Sequence, residues 1–520
     1  MNSDSAPNSD LPSDLPGAGD RWVTFFALLI PAVIAFHPLA NNDLPMHLAI
    51  GDWIIEHGEV PTTDPFSANG HGERWIAHEW LSALGFAVTY KVAGASGLVA
   101  LAVLLSALLG ALQNRISQLL GVPAVARLLL LVPIWLVAGR RLMLRPHLLG
   151  LCCVLGLWVV TLIGRKRPLL LWCAVPLMAL WANLHSSFIL GIAFLIFDLM
   201  VWPDGHRASA RQRLTVLVSC VGATALQPHG LGLFLFPFQL GLDPVFTSEV
   251  AEWVSPFASS ISAIQFRSTI SFGIGVPTMV LALIAVWRQG TRFGETEAPR
   301  TVRLAVVVSI AMALLQQRHF ALAALLCSVL LGMWITPWCL KWPETMHRVR
   351  GRAAILISAT VLMLISYGYP ARFEDTGVQW RKGGSGWSAT MPRIPVSVLA
   401  NEWQVTGVVF CEYEYGSVVT HASDGRLKPT MDSRNTVYGA QRYLAHQAAL
   451  VGETEEQLRL LKLANAVLIR RDASRSGLAS RLDQDADWAP IHIDPDCRMW
   501  VRESAVPESM RESLRPAQRR

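Results

Sequence analysis

The chain has 520 residues, of which 52% are hydrophobic and 16% are charged, and its formal net charge is +6. This apolar content exceeds what one soluble core needs, which excludes an ordinary soluble enzyme or binding module. The excess of Lys and Arg does not indicate a nucleic-acid partner, because the basic residues lie in short loops between apolar segments, as they do in membrane proteins.

The first twenty residues are rich in Ser, Pro and Asp, and we predict that the segment 1–20 is a disordered cytoplasmic tail. It contains no Lys or Arg, so the basic start of a signal peptide is missing and the first apolar segment is expected to remain as an anchor. A transmembrane region is predicted over 21–369, with a large first outer loop at 39–96. From 370 to 520 the composition turns polar, which predicts a separate domain.

Apolar segments that can cross about 30 Å of hydrocarbon recur throughout the transmembrane region. We predict about eleven spans, at 22–38, 97–113, 123–139, 148–163, 168–184, 187–202, 214–226, 272–287, 303–316, 319–338 and 353–369. With this count the most basic loops share one face, which is therefore cytoplasmic. The sequence thus predicts a polytopic α-helical membrane protein with a cytoplasmic N-terminus and an extracytoplasmic C-terminal α/β domain.

The segment 78–93 is ambiguous, because it is apolar enough to pass for a twelfth span. A span there would place the 39–77 loop on the basic face and separate it from the other polar motifs. We predict instead an amphipathic helix in the membrane interface, with Trp80, Phe86 and Tyr90 at the depth of the lipid headgroups.

Polar and ionisable residues cluster at span ends and in loops of the outer face. Such groups are costly near a membrane unless they face a polar cavity, so their convergence predicts a functional site. The candidate residues are Asp43, His47, Asp64, His78, Glu79, Arg145, Asn183, His185, Glu252 and Arg318.

Asp43 is the leading candidate, because it directly follows the first span in the sequence N-N-D-L-P-M-H. His47 lies four residues later, which on a helix places the two side chains on one face and allows a hydrogen bond. The alternative is a solvated helix start with Asp43 near the N-cap.

Structural explanations compete with function for the next three candidates. Asp64, in T-T-D-P-F-S, suits a turn, because Asp before Pro initiates turns. His78 and Glu79 would begin the interfacial helix, where the helix dipole favours an acid.

The remaining candidates are equally open to two interpretations. Arg145 suits a lipid phosphate beside an outer cavity, or it extends its charge to the headgroups. Asn183 and His185 end a span, so they either satisfy its terminus or line a cavity wall. Glu252 and Arg318 either serve the site or form a structural ion pair.

The region 370–520 alternates β-rich runs with helical patterns at 436–451 and 454–464, which predicts a compact α/β domain. The β-rich runs are V-V-F-C-E-Y, N-A-V-L-I-R-R, A-P-I-H-I-D and R-M-W-V-R-E. The segments Y-E-Y-G and M-D-S-R (Asp432, Arg434) suit loops, with acceptor binding as the alternative. Cys411 and Cys497 fall in β-type runs of a domain placed in an oxidising compartment, so we predict a disulfide between them.

Several motifs together resemble a group of bacterial multi-spanning proteins similar to the GT-C superfamily of glycosyltransferases. The motifs are N-D-L-P-M-H-L-A-I-G-D-W-I, D-P-F-S, W-I-A-H-E-W-L, R-P-H-L-L-G, W-A-N-L-H-S-S-F, Q-P-H-G and E-W-V-S-P. The resemblance implies location in the bacterial inner membrane, a polyprenyl-phosphate-linked sugar donor, an outward-facing cavity and a catalytic Asp in the first outer loop, where Asp43 is the match. The chain lacks the D-D, D-E or E-D pair at that point and the W-W-D motif of oligosaccharyltransferases. A divalent metal cofactor is therefore not favoured, and the acceptor class (glycan, lipid or protein) stays open.

The favoured hypothesis is an inverting membrane glycosyltransferase. Asp43 accepts the proton of the acceptor hydroxyl, His47 orients Asp43, and Arg145 or Arg318 neutralises the leaving lipid phosphate. The partners are then the lipid-linked sugar donor, membrane lipids and an extracytoplasmic acceptor. The rival hypothesis is a non-catalytic transporter or assembly factor for lipid-linked glycans or polysaccharide, although the sequence lacks a clear internal repeat of the kind that transporters often show.

Overall fold

A computed structural model describes residues 18–201, 208–241, 243–290, 300–341, 343–374 and 377–511. Most of the predicted tail, 1–20, lies outside the described residues. The first part of the chain is helical. Its helices are α1 (Ala18–Ala35), α2 (Leu44–His57), α3 (Trp80–Leu119), α4 (Ala124–Ala138), α5 (Pro146–Gly164), α6 (Ala174–Leu184), α7 (Phe188–Val201), α8 (Ala210–Ala223), α9 (Phe236–Gly241), α10 (Pro244–Glu249), α11 (Ile261–Arg267), α12 (Ile270–Gly290), α13 (Arg300–Leu315), α14 (Phe320–Lys341) and α15 (Pro343–Tyr367).

Four helices in the described part of the chain are long and apolar enough to cross a membrane. They lie at Trp80–Leu119, Pro146–Gly164, Ile270–Arg288 and Gln317–Lys341, and shorter apolar helices lie at Pro168–Leu184, Phe188–Met200 and Gly351–Tyr367. The chain is therefore a mostly helical membrane protein, as its composition predicts. The count of about eleven spans stays a prediction.

Close packing joins the helices of this region. α1 and α3 meet at Gly110, where a Cβ atom would clash with the carbonyl oxygen of Ala27. Small residues of this kind allow the backbones of membrane helices to approach each other. α11 and α14 meet through Phe266 and Phe320, whose ring centroids are 4.9 Å apart in an edge-to-face arrangement. This packing fixes the helix ends that carry the polar residues.

α3 consists of two helices joined at Gly94, whose φ of 59° and ψ of −158° interrupt the helical backbone. Glycine adopts such a positive φ without steric cost. The break separates the predicted interfacial helix from the predicted span that follows it. The three aromatic residues contact protein, since Phe86 is buried against α2, Tyr90 contacts Trp387, and Trp80 donates a hydrogen bond to an Asn side chain. Protein therefore covers Phe86 fully and Trp80 and Tyr90 in part, and the depth of the three residues relative to the lipid headgroups stays a prediction.

The C-terminal region contains two sheets. Its strands are β1 (Tyr369–Glu374), β2 (Gly377–Arg381), β3 (Gly407–Cys411), β4 (Leu427–Pro429), β5 (Ala464–Arg470), β6 (Trp488–Ile493) and β7 (Cys497–Arg502), and its helices are α16 (Arg393–Ser397), α17 (Gly416–Ala422), α18 (Asn435–Val451), α19 (Glu455–Leu463), α20 (Ser476–Gln484) and α21 (Glu508–Arg511). β1 and β2 pair antiparallel, and the other strands form a mixed sheet in the order β4-β3-β5-β7-β6. β3 runs parallel to β4 and β5, whereas β7 runs antiparallel to β5 and β6. The four β-rich runs and the two helices predicted from the sequence are confirmed.

The predicted disulfide between Cys411 and Cys497 is wrong. Cys411 ends β3 and Cys497 begins β7, and β5 lies between these strands. Because neighbouring strands are about 4.8 Å apart, the two residues lie about 9 to 10 Å or more from each other, beyond the roughly 7 Å that a disulfide can bridge. Both cysteines are buried free thiols. Sequence alone could assign each cysteine to a strand but not the order of the strands.

The first loop docks onto the C-terminal region through backbone and apolar contacts. Leu39 donates its amide to Gly386 at 2.8 Å and accepts from Ser388 at 2.9 Å. An apolar cluster then joins the two segments, with Met46, Ile50, Ile54, Phe66, Trp75 and Ala77 from the loop and Met431, Val437, Tyr438 and Tyr443 from the C-terminal region. This docking places the start of α2 opposite the loops of the mixed sheet.

Candidate active site

A polar cavity of about 890 Å³ lies where the ends of the helices meet the C-terminal region. Eight of the ten candidate residues line it: Asp43, His47, His78, Glu79, Arg145, His185, Glu252 and Arg318. They come from six separate segments of the chain, so one site is assembled from parts that are distant in sequence. Further lining residues that were not among the candidates include Arg140, Arg141, Trp253 and Tyr413.

Asp43 occupies the N-cap position of α2, but its side chain makes no capping hydrogen bond. Its carboxylate oxygen Oδ2 lies 3.2 Å from Nη2 of Arg145. Asn41 links the two residues, because its Oδ1 accepts hydrogen bonds from the Asp43 amide at 3.1 Å and from Arg145 Nε at 2.7 Å. The Asp43 carboxylate is thus held by a cation across the cavity instead of by its own helix.

Arg145 joins two carboxylates, because it also donates to Glu252. Glu252 in turn accepts from Arg141 at 3.0 Å. Burial opposes ionisation of Glu252, but Arg141 and Arg145 outweigh it and hold the pKa of this carboxyl well below its usual range. The predicted alternative of a Glu252–Arg318 ion pair is not what the structure shows.

Arg318 has different surroundings. Its guanidinium lies 4.3 Å from the centroid of the Trp253 ring, and its Nε lies 3.3 Å from Nε2 of His319. Among the described residues, no carboxylate comes within 4 Å of this guanidinium. Arg318 therefore forms no close ion pair with an acid in the described chain, and Glu252 acts on its charge only from a longer distance, which suits an anionic ligand.

Glu79 forms the centre of a second cluster, surrounded by three imidazoles. Its carboxylate oxygens lie 3.6 Å, 3.5 Å and 3.4 Å from the Nε2 atoms of His47, His78 and His185. His47 therefore faces Glu79, whereas Arg145 is the partner of Asp43. Burial lowers the pKa of His47, which favours a neutral imidazole. The Nδ1 atom of His47 is buried and has no hydrogen-bond partner among the described residues.

Solved structures of an archaeal oligosaccharyltransferase share this architecture. The enzyme from Archaeoglobus fulgidus, tethered to an acceptor peptide containing the NVT sequon, aligns with a TM-score of 0.57 and 13% identity over 87% of this chain and 69% of its own. AglB from the same organism, in complex with an inhibitory peptide and a dolichol-phosphate, aligns with a TM-score of 0.57 and 11% identity over 95% of this chain and 76% of its own. This chain has the oligosaccharyltransferase fold. AglB is a GT-C enzyme, so the resemblance to GT-C proteins predicted from the sequence is confirmed for the fold.

A third structure of the archaeal enzyme, in complex with Zn and sulfate, aligns with a TM-score of 0.51 and 13% identity over 94% of this chain and 74% of its own. No protein-family model matches the sequence, and no curated protein matches it. At 11% to 13% identity, what this chain shares with the archaeal enzyme is its fold.

Two candidate residues lie outside the cavity lining. Asp64 is buried and accepts hydrogen bonds from the amides of Phe66 and Ser67, as the turn interpretation predicts, and it also pairs with Arg434. Asn183 accepts from the Trp80 indole at 2.9 Å and donates to two backbone carbonyls. Their hydrogen-bonding groups are engaged by protein, which favours structural roles for both.

The C-terminal region supplies one wall of the cavity through the segments Y-E-Y-G and M-D-S-R. Tyr413 donates a hydrogen bond to Asn435 at 2.7 Å, and burial raises its pKa, so its hydroxyl stays protonated. Arg434 reaches the wall but is held by Asp64 and Asp432. The sequence marked both segments as unusual, yet it gave no signal that they would face Asp43.

The two acids nearest the start of α2 are engaged by protein groups. Asp43 is paired with Arg145, and Glu79 divides its contacts among three imidazoles. In the described part of the chain, the ligand atoms of only one group of His, Cys, Asp or Glu residues lie within 4.8 Å of one another, and that group is His492, Asp494 and Cys497, in the turn between β6 and β7. The sequence analysis did not identify this group, because its ligands are of three residue types and only the folded turn brings them together.

Proposed function

We propose that the protein is a membrane glycosyltransferase that transfers a sugar from a polyprenyl-phosphate-linked donor to an extracytoplasmic acceptor, with inversion at the anomeric carbon. The observation that carries this proposal is the Asp43 carboxylate, 3.2 Å from Arg145 in a cavity that also holds Arg141 and Arg318. A base and several cations in one cavity of a GT-C fold suit attack by a hydroxyl and departure of a phosphate.

The cationic side of the cavity is the proposed site of the donor phosphate. Arg318 is the leading candidate for this contact, because no carboxylate among the described residues lies within 4 Å of its guanidinium. Arg141 and Arg145 are partly neutralised by Glu252 and therefore act more weakly on an incoming anion. AglB, which shares the fold, was solved with a dolichol-phosphate, and a lipid phosphate is the chemistry that we propose here.

Asp43 is the proposed base. The acceptor oxygen attacks the anomeric carbon, its proton passes to a carboxylate oxygen of Asp43, and the bond to the lipid phosphate breaks with its electron pair leaving on the phosphate. Arg145 orients the Asp43 carboxylate, which is the role that the sequence hypothesis assigned to His47. The imidazoles around Glu79 border the same space and are proposed to contact the substrates.

The acceptor is proposed to enter along the wall formed by the C-terminal region. Tyr413, with its protonated hydroxyl, faces the part of the cavity opposite the helix ends. The proposed topology retains about eleven spans within 21–369, a cytoplasmic N-terminus, and an extracytoplasmic domain over 370–520. The interruption at Gly94 supports it, because the interruption separates the segment 78–93 from the span that follows.

The experiment uses the purified full-length protein with a panel of polyprenyl-phosphate-linked sugars and hydroxyl acceptors. Transfer is followed by mass spectrometry of the product. Asp43→Asn is expected to lower turnover by about 10²- to 10⁴-fold, the usual contribution of a general base, while the donor still binds. Asp52→Asn is the matched control, because Asp52 lies on the same helix and pairs with Lys91 at 3.1 Å.

Two outcomes would contradict the proposal. If Asp43→Asn transfers the sugar at the wild-type rate, Asp43 is not the general base. Movement of lipid-linked sugar across vesicles without any covalent change would favour the rival transport function.

A further inference from the structure

The turn between β6 and β7 brings together three side chains that can ligate a metal ion, away from the proposed active site. Asp494 Oδ2 lies 2.8 Å from His492 Nε2 and 3.6 Å from Cys497 Sγ. All three ligand atoms lie within 4.8 Å of one another. An imidazole, a carboxylate and a thiol therefore face a common point.

These separations suit a tetrahedral zinc ion. With Zn–N and Zn–O bonds of about 2.0 Å and a Zn–S bond of about 2.3 Å, the ligand atoms of such a site lie about 3.3 to 3.6 Å apart. The observed separation of the Asp494 and Cys497 atoms already falls in this range. The His492 and Asp494 atoms need to move apart by only about half an ångström, which a rotation of the partly exposed imidazole provides.

The backbone of the turn orients Asp494 for this role. Its Oδ1 accepts hydrogen bonds from the amides of Asp496 and Cys497, both at 2.7 Å, which leaves Oδ2 to face His492 and Cys497. Hydrogen bonds of this kind fix metal ligands in place. Cys497 is buried, whereas the side chains of His492 and Asp494 are each 30% exposed, so solvent can supply a fourth ligand.

We propose that His492, Asp494 and Cys497 form a site for one zinc ion, with water in the fourth position. On binding, the Cys497 thiol loses its proton to solvent and a Zn–S bond forms. A thiolate and an imidazole select zinc over Mg²⁺ or Ca²⁺, which prefer oxygen ligands. This site goes beyond the proposed transferase function, because nothing in that reaction uses it.

The site is connected to the wall of the cavity. Cys497 pairs across the sheet with Arg470, which lines the cavity, and Tyr415 donates a hydrogen bond to the carbonyl of Asp496 at 3.3 Å. A zinc ion bound at the turn would therefore brace the strand ends that support the segment Y-E-Y-G. The role we assign to it is structural.

The test uses full-length protein purified without a polyhistidine tag, stripped with EDTA, and titrated with Zn²⁺ against a chromogenic chelator. The wild type should bind one equivalent, and His492→Ala should lose more than about 100-fold in affinity, because even residues that only orient metal ligands contribute 10- to 100-fold. Zn²⁺ should also raise the melting temperature of the wild type and not that of the variant. Cys173→Ser is the matched control, since Cys173 is an exposed cysteine elsewhere in the chain.

Cobalt provides a second measurement that reports the thiolate directly. Co²⁺ bound to the wild type should show sulfur-to-cobalt charge-transfer absorption, which Cys497→Ser should abolish and Cys173→Ser should retain. If Cys497→Ser fails to fold, the zinc affinity of His492→Ala provides the test, because this side chain is partly exposed and its removal perturbs the core less. Three results would overturn the proposal. The wild type binds no equivalent of Zn²⁺, His492→Ala binds Zn²⁺ with unchanged affinity, or Glu79→Gln loses zinc binding and His492→Ala does not.

Discussion

The carboxylate of Asp64 lies 2.7 Å from the guanidinium of Arg434, although the two residues are 370 positions apart in the sequence. Arg434 also holds Asp432 through hydrogen bonds of 2.9 Å and 2.6 Å, and Tyr438 donates to Asp432 at 2.8 Å. The Asp64 and Asp432 side chains are fully buried and that of Arg434 is 6% exposed. This network fixes the first loop against the C-terminal region, and thereby holds Asp43 opposite the cavity wall.

Removal of Arg434 should therefore destabilise the protein strongly. Arg434→Ala leaves two buried carboxylates without their cation, and breaking a buried ion pair in this way costs about 3 to 5 kcal/mol. Arg442→Ala is the matched control, because Arg442 pairs with Glu73 at 2.7 Å between the same two segments but at the surface. Such an exposed pair contributes about 0 to 1 kcal/mol. Thermal unfolding in detergent compares the stability of the two variants. Equal losses of stability would contradict the role of the Asp64–Arg434 pair in fixing the first loop.

The sequence predicted local elements well, because their signals are local. The β-rich run V-V-F-C-E-Y and the pattern 454–464 carry their own periodicity, and the polar residues at helix ends marked most of the cavity. The contacts between side chains that are distant in sequence were harder to predict. His47 faces Glu79 instead of Asp43, and Cys411 is separated from Cys497 by a strand, because both outcomes depend on the packing of distant segments.

The topology prediction places the two sides of Gly94 in different environments. A reporter fused after residue 93 should behave as extracytoplasmic, and one fused after residue 118 should behave as cytoplasmic. The reason is the distribution of Lys and Arg, which puts the basic loops on the cytoplasmic face. Alkaline phosphatase and a fluorescent protein, active on opposite sides, provide the measurement. A cytoplasmic signal at 93 would make 78–93 a span and would move the Asp43 loop to the other face.

His446 should make the stability of the C-terminal region dependent on pH. Burial lowers its pKa from 6.5 to about 4, and its Nε2 lies 3.0 Å from the Thr430 hydroxyl. Below pH 6.5 the unfolded chain gains a proton that the folded chain does not accept until about pH 4. Stability is therefore complete above pH 6.5 and falls by about 1.4 kcal/mol per pH unit as the pH decreases through this window.

His446→Gln removes this titration and should make the loss of stability between pH 6.5 and pH 4 less steep by up to about 1.4 kcal/mol per pH unit, while the other buried histidines still contribute to it. Apparent melting temperatures across that range are the measurement. His57→Gln, on the exposed surface of α2, is the control. Parallel pH profiles for the wild type and His446→Gln would show that protonation of His446 is not linked to unfolding.

The last prediction separates fixed cations from a metal in the proposed reaction. Catalytic Mg²⁺ is usually held by one or two carboxylates together with substrate phosphates, whereas here Asp43 is paired with Arg145 and Glu79 is surrounded by imidazoles. We therefore expect sugar transfer to continue in the presence of EDTA.

Arg145→Ala should lower kcat by about 10²- to 10³-fold, the usual cost of removing one group that stabilises developing charge. Arg145→Lys keeps the charge but not the forked geometry, so it should retain part of the activity. Melting temperatures of both variants identify any loss that comes from unfolding. Abolition of transfer by EDTA with rescue by Mg²⁺ or Mn²⁺ would contradict this prediction and would make Glu79 the first residue to test as a ligand, since Asp64 is already engaged by Arg434.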